Sequence, residues 1–232
     1  MKQPPLMQQL GRAASQGVIS VPAGIVDSLR EKIFKGELPP GARIVETRLS
    51  KDLNVGQPAV REALLILERQ GLVQRVANIG TFVRQMSVEE AKNLFRIRRE
   101  LEGLAAEEAA RRATKDDISD LKKLAENIET RDVPAAKDRW KHFQRDLAFH
   151  QSVWRLSGNQ QLVEFLESVT VPLFQFAFWH HQRTAEQLKK SAKLHMAIVE
   201  GIENGPTAAR AATRRAIDRF VQPYLDRVLS FP

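Results

Sequence analysis

Apolar positions recur at helical spacing through most of the chain, and the exceptions are confined to its first third. Ile25, Leu29 and Ile33 fall at i, i+4 and i+8, which predicts a helix over about residues 23–35. Gly36 and the Pro39-Pro40-Gly41 turn stop it. Leu49 and Leu53 point inward from a second helix over about residues 46–53, followed by the turn Asn54-Val55-Gly56. Val60, Leu64 and Leu67, with Ala63 beside them, form the stripe of a third helix over residues 58–70. Pro58 suits its first position, because the missing N–H would have had no partner there, and Gly71 ends it. Two short apolar pieces, residues 72–76 and 81–83, flank Ala77-Asn78-Ile79-Gly80, where Asn and Gly supply the positive φ that a hairpin turn requires.

Helix, helix, short turn, helix, hairpin is the plan of a winged helix-turn-helix. Beyond about residue 85 the pattern changes: Gly and Pro become sparse and strand-like alternation disappears. Ser87-Val88-Glu89-Glu90 has the form of a capping box for a helix to about residue 113, and Thr114-Lys115-Asp116-Asp117 is a second helix start. Further helices are expected over residues 134–156, 159–181 (kinked at Pro172), 185–203 and 207–229, with Gly158 and Asn204-Gly205-Pro206 as breaks. The fold class is therefore mainly α. A mobile arm at 1–19 precedes a winged domain at 20–85 and an all-helical bundle at 86–232.

Composition narrows the chemistry. The chain has 232 residues and no cysteine, which excludes disulfides, thiol nucleophiles and cysteine-ligated metals. No run of about 18 apolar residues occurs, so no membrane span is expected; the longest apolar-rich stretch, residues 169–179, is interrupted by Pro172 and Gln175. The N-terminus lacks the apolar centre of a secretory signal, and a cytoplasmic location is expected. Net charge is +8, of which residues 1–85 carry +5 and the longer remainder only +3. The smaller region is the more basic, which suits an acidic partner such as nucleic acid.

In a helix-turn-helix the second helix presents its N-terminal residues to base edges in the major groove. Here those residues are Gln57, Ala59 and Arg61. Gln pairs bidentately with adenine, and Arg does so with guanine or grips phosphate. Arg43 and Arg48 fall where the chain would pass the DNA backbone, and Asn78, Gly80 and Thr81 belong to the wing. The plainer alternative makes Arg61 a solvated charge beside Glu62.

The run Pro58-Ala59-Val60-Arg61-Glu62-Ala63-Leu64, with Pro40-Gly41, Leu49, Leu67-Glu68, Gly71-Leu72-Val73 and Gly80-Thr81-Phe82-Val83, resembles the N-terminal domain of GntR-family transcription regulators over residues 20–84. The resemblance implies DNA binding and assigns Arg61 the role of the helix-three arginine. The chain departs from the family pattern at Gly56, at Gln57 (usually Arg) and at Ile79, where a basic residue is common. These departures bear on which sequence is read.

In the bundle, Asp146 and His150 stand at i, i+4 on one helix face. Such a pair either holds a transition metal or is a surface pair or a satisfied core histidine. Arg98-x-x-Leu101-Glu102, Asp146-x-x-x-His150, Gly158-Asn159-x-x-Leu162 and His195-x-x-Ile198 resemble the FCD effector domain of the FadR subfamily over residues 88–223. The resemblance implies a helical bundle with an internal effector pocket, a homodimer, and in many members a divalent metal such as zinc or nickel held by one Asp and three His. Asp146, His150 and His195 match three of those ligands; the fourth position holds Ala216. Three outcomes stay open: three ligands completed by water or an effector carboxylate, substitution by His180 or His181, or a purely organic ligand on His150 and His195. Arg98 either clamps an effector carboxylate or pairs with Glu102. Asn159 either contacts effector or metal-bound water, or caps a helix. Trp140, Trp154 and Trp179 either line the pocket or fill the core.

The expected function is a ligand-responsive DNA-binding regulator, not an enzyme, most simply a repressor of a palindromic double-stranded operator that releases it on binding a carboxylate metabolite. A metal-dependent hydrolase using Asp146, His150 and His195 is the rival, and a helical scaffold without effector the third reading.

Overall fold

The computed structural model describes residues 21–129, 139–180 and 185–229. The arm expected at residues 1–19 and the alternative ligand His181 lie outside them. The chain divides into two compact units, Met1–Gln85 and Met86–Pro232.

The first unit contains α1 (Val21–Lys35), β1 (Arg43–Ile44), α2 (Glu46–Leu53), α3 (Gln57–Arg69), β2 (Val73–Val76) and β3 (Gly80–Val83). Strand β1 is not among the expected elements, because two residues are too few to show alternation. It pairs Arg43 with Phe82 and Ile44 with Thr81, making an antiparallel sheet of order β1-β3-β2. Ile25, Leu29, Ile33, Val60, Leu64, Leu67, Leu72 and Val83 are buried and form the core. Asn54 closes α2 in the left-handed region at φ 51°, and its N–H donates to Lys51 O. This is the sharp turn that sets α2 against α3. Gly56 precedes α3 in an extended conformation and offers no side-chain acceptor to the first turn.

The second unit is built of α4 (Val88–Ala110), α5 (Lys115–Glu129), α6 (Arg139–Leu156), α7 (Gln160–His180), α8 (Ala185–Glu203) and α9 (Pro206–Leu229). Ser87 caps α4 by accepting from Glu90 N at 3.1 Å. Thr114 and Asp117 exchange reciprocal bonds at 3.2 and 2.8 Å, so an aspartate serves where glutamate is usual. Pro206, not Thr207, opens α9, again at a position that needs no N–H. Residues Phe95, Leu173, Phe176, Ile217 and Val221 bring α4, α7 and α9 into one apolar cluster. Trp154 is fully buried and Trp140 nearly so, which fits the core reading of both. Helix α7 is continuous through Pro172. By length and composition its stretch Gln160–Trp179 passes as a membrane span, but 67 % of it is buried in the bundle, as in a core helix.

Two glycines permit close helix contact. A Cβ on Gly103 of α4 would meet Arg214 Cγ of α9 at 3.3 Å, and one on Gly201 of α8 would meet Ala212 Cβ of α9 at 2.7 Å. The second distance is one that real Cβ atoms do not adopt, so α8 and α9 cross there because position 201 has no side chain.

Candidate functional site

Two polar sites stand out, one in each unit. In the winged unit, Gln57 is exposed at the first position of α3 and Ala59 is half-buried. Arg61, 61 % exposed, donates through Nε to Glu46 Oε2 at 2.8 Å. Arg48, 82 % exposed, lies 3.6 Å from Asp52 Oδ2. Exposed pairs of this kind are weak and exchangeable. Asn78 adopts φ 60° at the hairpin turn.

Three of the expected wing residues make contacts within the unit. Arg43 does not project freely: its Nη2 donates to Ile79 O at 2.8 Å, tying β1 to the wing tip. Gly80 makes room for that arginine, since a Cβ there would sit 3.2 Å from Arg43 Nε. Thr81 is only 4 % exposed and shares the inward face of β3 with Val83, so its side chain does not belong to the DNA-facing set. Strand alternation decides this, because residues two apart share a face.

In the helical unit, α4 supplies Arg98 and Glu102, α6 supplies Asp146 and His150, and α8 supplies His195. All five are buried. Arg98 Nε donates to Glu102 Oε1 at 2.6 Å, and its Nη2 lies 3.3 Å from His150 Nε2. His150 Nδ1 lies 3.0 Å from Glu102 Oε2. Asp146 Oδ1 lies 2.8 Å from His195 Nε2 and 3.6 Å from His150 Nε2. The i, i+4 spacing of both helical pairs aims them at one point. Arg98 also stands 5.1 Å over the Phe174 ring, a cation–π contact the sequence analysis did not name. Nor did it foresee that Glu102 serves His150 as well as Arg98. The i, i+4 placement of Arg98 and Glu102 was the available signal.

Burial pushes the Glu102 carboxyl up, but Arg98 and His150 outweigh it and hold it at about 2. Burial likewise raises Asp146, yet His195 and His150 hold it well below the usual carboxylate range. Burial pushes His150 down, while Glu102 and the hydrogen bond to Asp146 lift it to about 9. Two arrangements of His150 follow. When protonated, its Nδ1–H and Nε2–H face Glu102 and Asp146. When neutral, with Nδ1–H held by Glu102, its Nε2 lone pair faces the pocket, free to accept a hydrogen bond from Arg98 or to donate to a metal.

The donor set fits a divalent transition metal. Ligand atoms of Asp146, His150 and His195 lie within 4.8 Å of one another. Glu102 fixes the His150 ring as second-sphere carboxylates do for metal-bound histidines. The pocket they face is small, with a cavity volume of about 30 Å³, and Arg98, Phe174 and Ala216 share its lining. Ala216 thus stands at the site, but its methyl offers no ligand. His195 Nδ1 is buried with no hydrogen-bond partner among the described residues. Asn159 Oδ1 accepts from Leu162 N at 3.1 Å as the cap of α7, one of its two expected roles, and the residue is not among those lining the pocket. Arg98 pairs with Glu102, as one of its two readings expects, and it also lines the pocket.

Comparison with known proteins identifies both units. The FCD domain family matches residues 93–219, and bacterial regulatory proteins of the gntR family match residues 22–83. The chain is 29 % identical over 143 residues to the uncharacterized HTH-type transcriptional regulator YdhC of Bacillus subtilis, covering 62 % of this chain and 63 % of that one. It is 27 % identical over 192 residues to the probable D-xylose utilization operon transcriptional repressor of Paenarthrobacter nicotinovorans, covering 80 % of each. The fold is similar to that of Escherichia coli McbR/YncC, with a TM-score of 0.71 at 19 % identity over 91 % of this chain and 98 % of that one. The first two are named as a transcriptional regulator and a probable transcriptional repressor. With both families matched in order, and the FCD match alone spanning more than half of the sequence, the chain belongs to the GntR family of bacterial regulatory proteins, in the branch whose second domain is an FCD domain.

Proposed function

We propose that this protein is a homodimeric repressor of the cytoplasm that binds a palindromic double-stranded operator and releases it on binding a small carboxylate metabolite. In each protomer the start of α3 reads the major groove through Gln57 and Arg61. Arg48 and the first-turn amides of α3 grip phosphate, and Asn78 and Gly80 form the wing contact. Glu46 and Asp52 give up their arginines to phosphate at little cost. A dyad relating two such helices matches two half-sites one helical turn apart.

The observation that carries the effector half of this reading is the buried meeting of Arg98, Asp146, His150 and His195 at one pocket. A divalent transition metal, held by Asp146, His150 and His195, supplies a fixed positive charge there. It requires neutral His150, so the charges of Arg98, Glu102, Asp146 and the ion sum to +1. One carboxylate completes neutrality, and Arg98 is placed to orient it as a fork. Effector binding acts on the operator through its differential affinity for DNA-competent and incompetent states. Two relatives with repressor names support the sign of regulation.

The test pairs two measurements on the purified full chain. Fluorescence anisotropy should show salt-sensitive preference for its own upstream DNA over random duplex. Elemental analysis should show about one transition metal per chain, lost in Asp146→Ala. Equal affinity for both duplexes overturns the operator reading, and no metal after repletion overturns the metal reading.

A further inference from the structure

We propose that the outer groove between α8 and α9 is the entrance to the buried centre and carries a second acid-binding subsite at Arg215 and Arg219, so that the effector has two acidic groups. The inference rests on the effector reading above and specifies its ligand class.

The inner pocket and this groove share part of their lining. Leu194 and Ala216 border both, so the two spaces approach each other at these residues. The groove is the roomier of the two, with a volume of about 220 Å³. At Gly201 the two helices touch, as the 2.7 Å approach to Ala212 requires. The passage therefore lies towards Leu194 and Ala216. A longer side chain at position 216 would close it from both directions.

Helix α9 carries five arginines, and the four at 210, 214, 215 and 219 divide into two classes. Arg210 donates to Glu107 at 2.9 Å, and Arg214 pairs with Glu100, so these two serve the α4 contact. Arg215 and Arg219 border the groove one helical turn apart, are exposed, and form no ion pair among the described residues. Glu200 on the opposite rim is the one acidic residue lining the groove among the described residues, and with the two arginines it gives a sum of +1. The inner centre, once loaded with a divalent ion, also sums to +1. Two sites of equal surplus, approaching each other at Leu194 and Ala216, match a molecule acidic at both ends. Inside, the unpartnered and buried His195 Nδ1 marks a polar position that the protein itself leaves unsatisfied, a costly arrangement unless something binds.

Calorimetric titration of the metal-replete full chain tests this, using α,ω-dicarboxylates from succinate to suberate, each against the monocarboxylate of equal length. The best diacid should bind about tenfold tighter than its monoacid, as a charge-assisted contact of roughly 1.4 kcal/mol gives. In the exposed double variant Arg215→Gln/Arg219→Gln the two should agree within about twofold, with monoacid affinity retained. Ala216→Leu should slow association of either acid, read by stopped flow. Equal affinities in the unmodified protein, or a preference that survives the double variant, overturns the subsite. An unchanged association rate in Ala216→Leu overturns the entrance. If neither class of acid binds, the carboxylate-effector reading itself falls and takes this one with it.

Discussion

The candidate sites of the two units place their arginines under opposite rules. Arg48 and Arg61 of the winged unit lie in water and hold Asp52 and Glu46 by single contacts at 3.6 and 2.8 Å. Arg98 of the helical unit is 3 % exposed and locked between Glu102 and His150. An exposed pair contributes at most about 1 kcal/mol, because water solvates each partner nearly as well. A buried pair has no such alternative, so losing one partner strands a charge. Recognition of a polyanion needs cations that exchange partners readily. A ligand sensor needs charges that stay put until a specific molecule arrives.

The sharpest way to break this contrast is Glu102→Ala. It strands Arg98 and His150, and urea denaturation should show a loss of about 3–5 kcal/mol. A loss below about 1 kcal/mol would mean that the centre behaves as a surface. Arg61→Ala should do the reverse. Stability should stay within about 0.5 kcal/mol, while operator affinity falls by about 1–3 kcal/mol in anisotropy titrations.

The pH dependence of chelated protein sharpens the buried side. Glu102 is held at about 2 against an ordinary 4.5, so its stabilisation is present above pH 4.5 and lost as pH falls towards 2. His150 is raised to about 9 from 6.5, so its stabilisation is present below pH 6.5 and lost as pH rises through 9. Thermal unfolding across pH should therefore show greatest stability of the metal-free bundle between about 4.5 and 6.5. A midpoint flat from pH 6.5 to 9 would contradict the arrangement around His150. The smallest effect belongs to Asn159→Ala, which should cost about 1 kcal/mol as a lost cap and leave acid affinity unchanged in the same titrations.

Much of this architecture was legible because the chain marks its helix ends with local chemistry. Ser87, Thr114, Gly158 and Gly205 punctuate the bundle within a few residues of the observed boundaries. The apolar spacing of Val60, Leu64 and Leu67 fixed the buried face of α3, and hence the exposed side of Arg61. What escaped was non-local. Strand β1 exists only because Arg43 and Ile44 find β3 nearly forty residues later. Thr81 turned inward because that pairing fixed which face of β3 is covered. Glu102's second bond, to His150, joins positions on α4 and α6 that no periodicity relates. Asn159 was ambiguous because one amide suits a cap or a ligand equally, and only the neighbouring Leu162 N–H decides.

The tie from Arg43 to the carbonyl of Ile79 separates the shape of the wing from its sequence. The guanidinium grips main chain, which every amino acid supplies, and Gly80 clears the space beside it. Position 79 is thereby left free to vary, since its side chain, 56 % exposed, takes no part in holding the turn. Over evolutionary time a regulator built this way is able to change what its wing prefers one substitution at a time, without passing through a form whose wing has come apart.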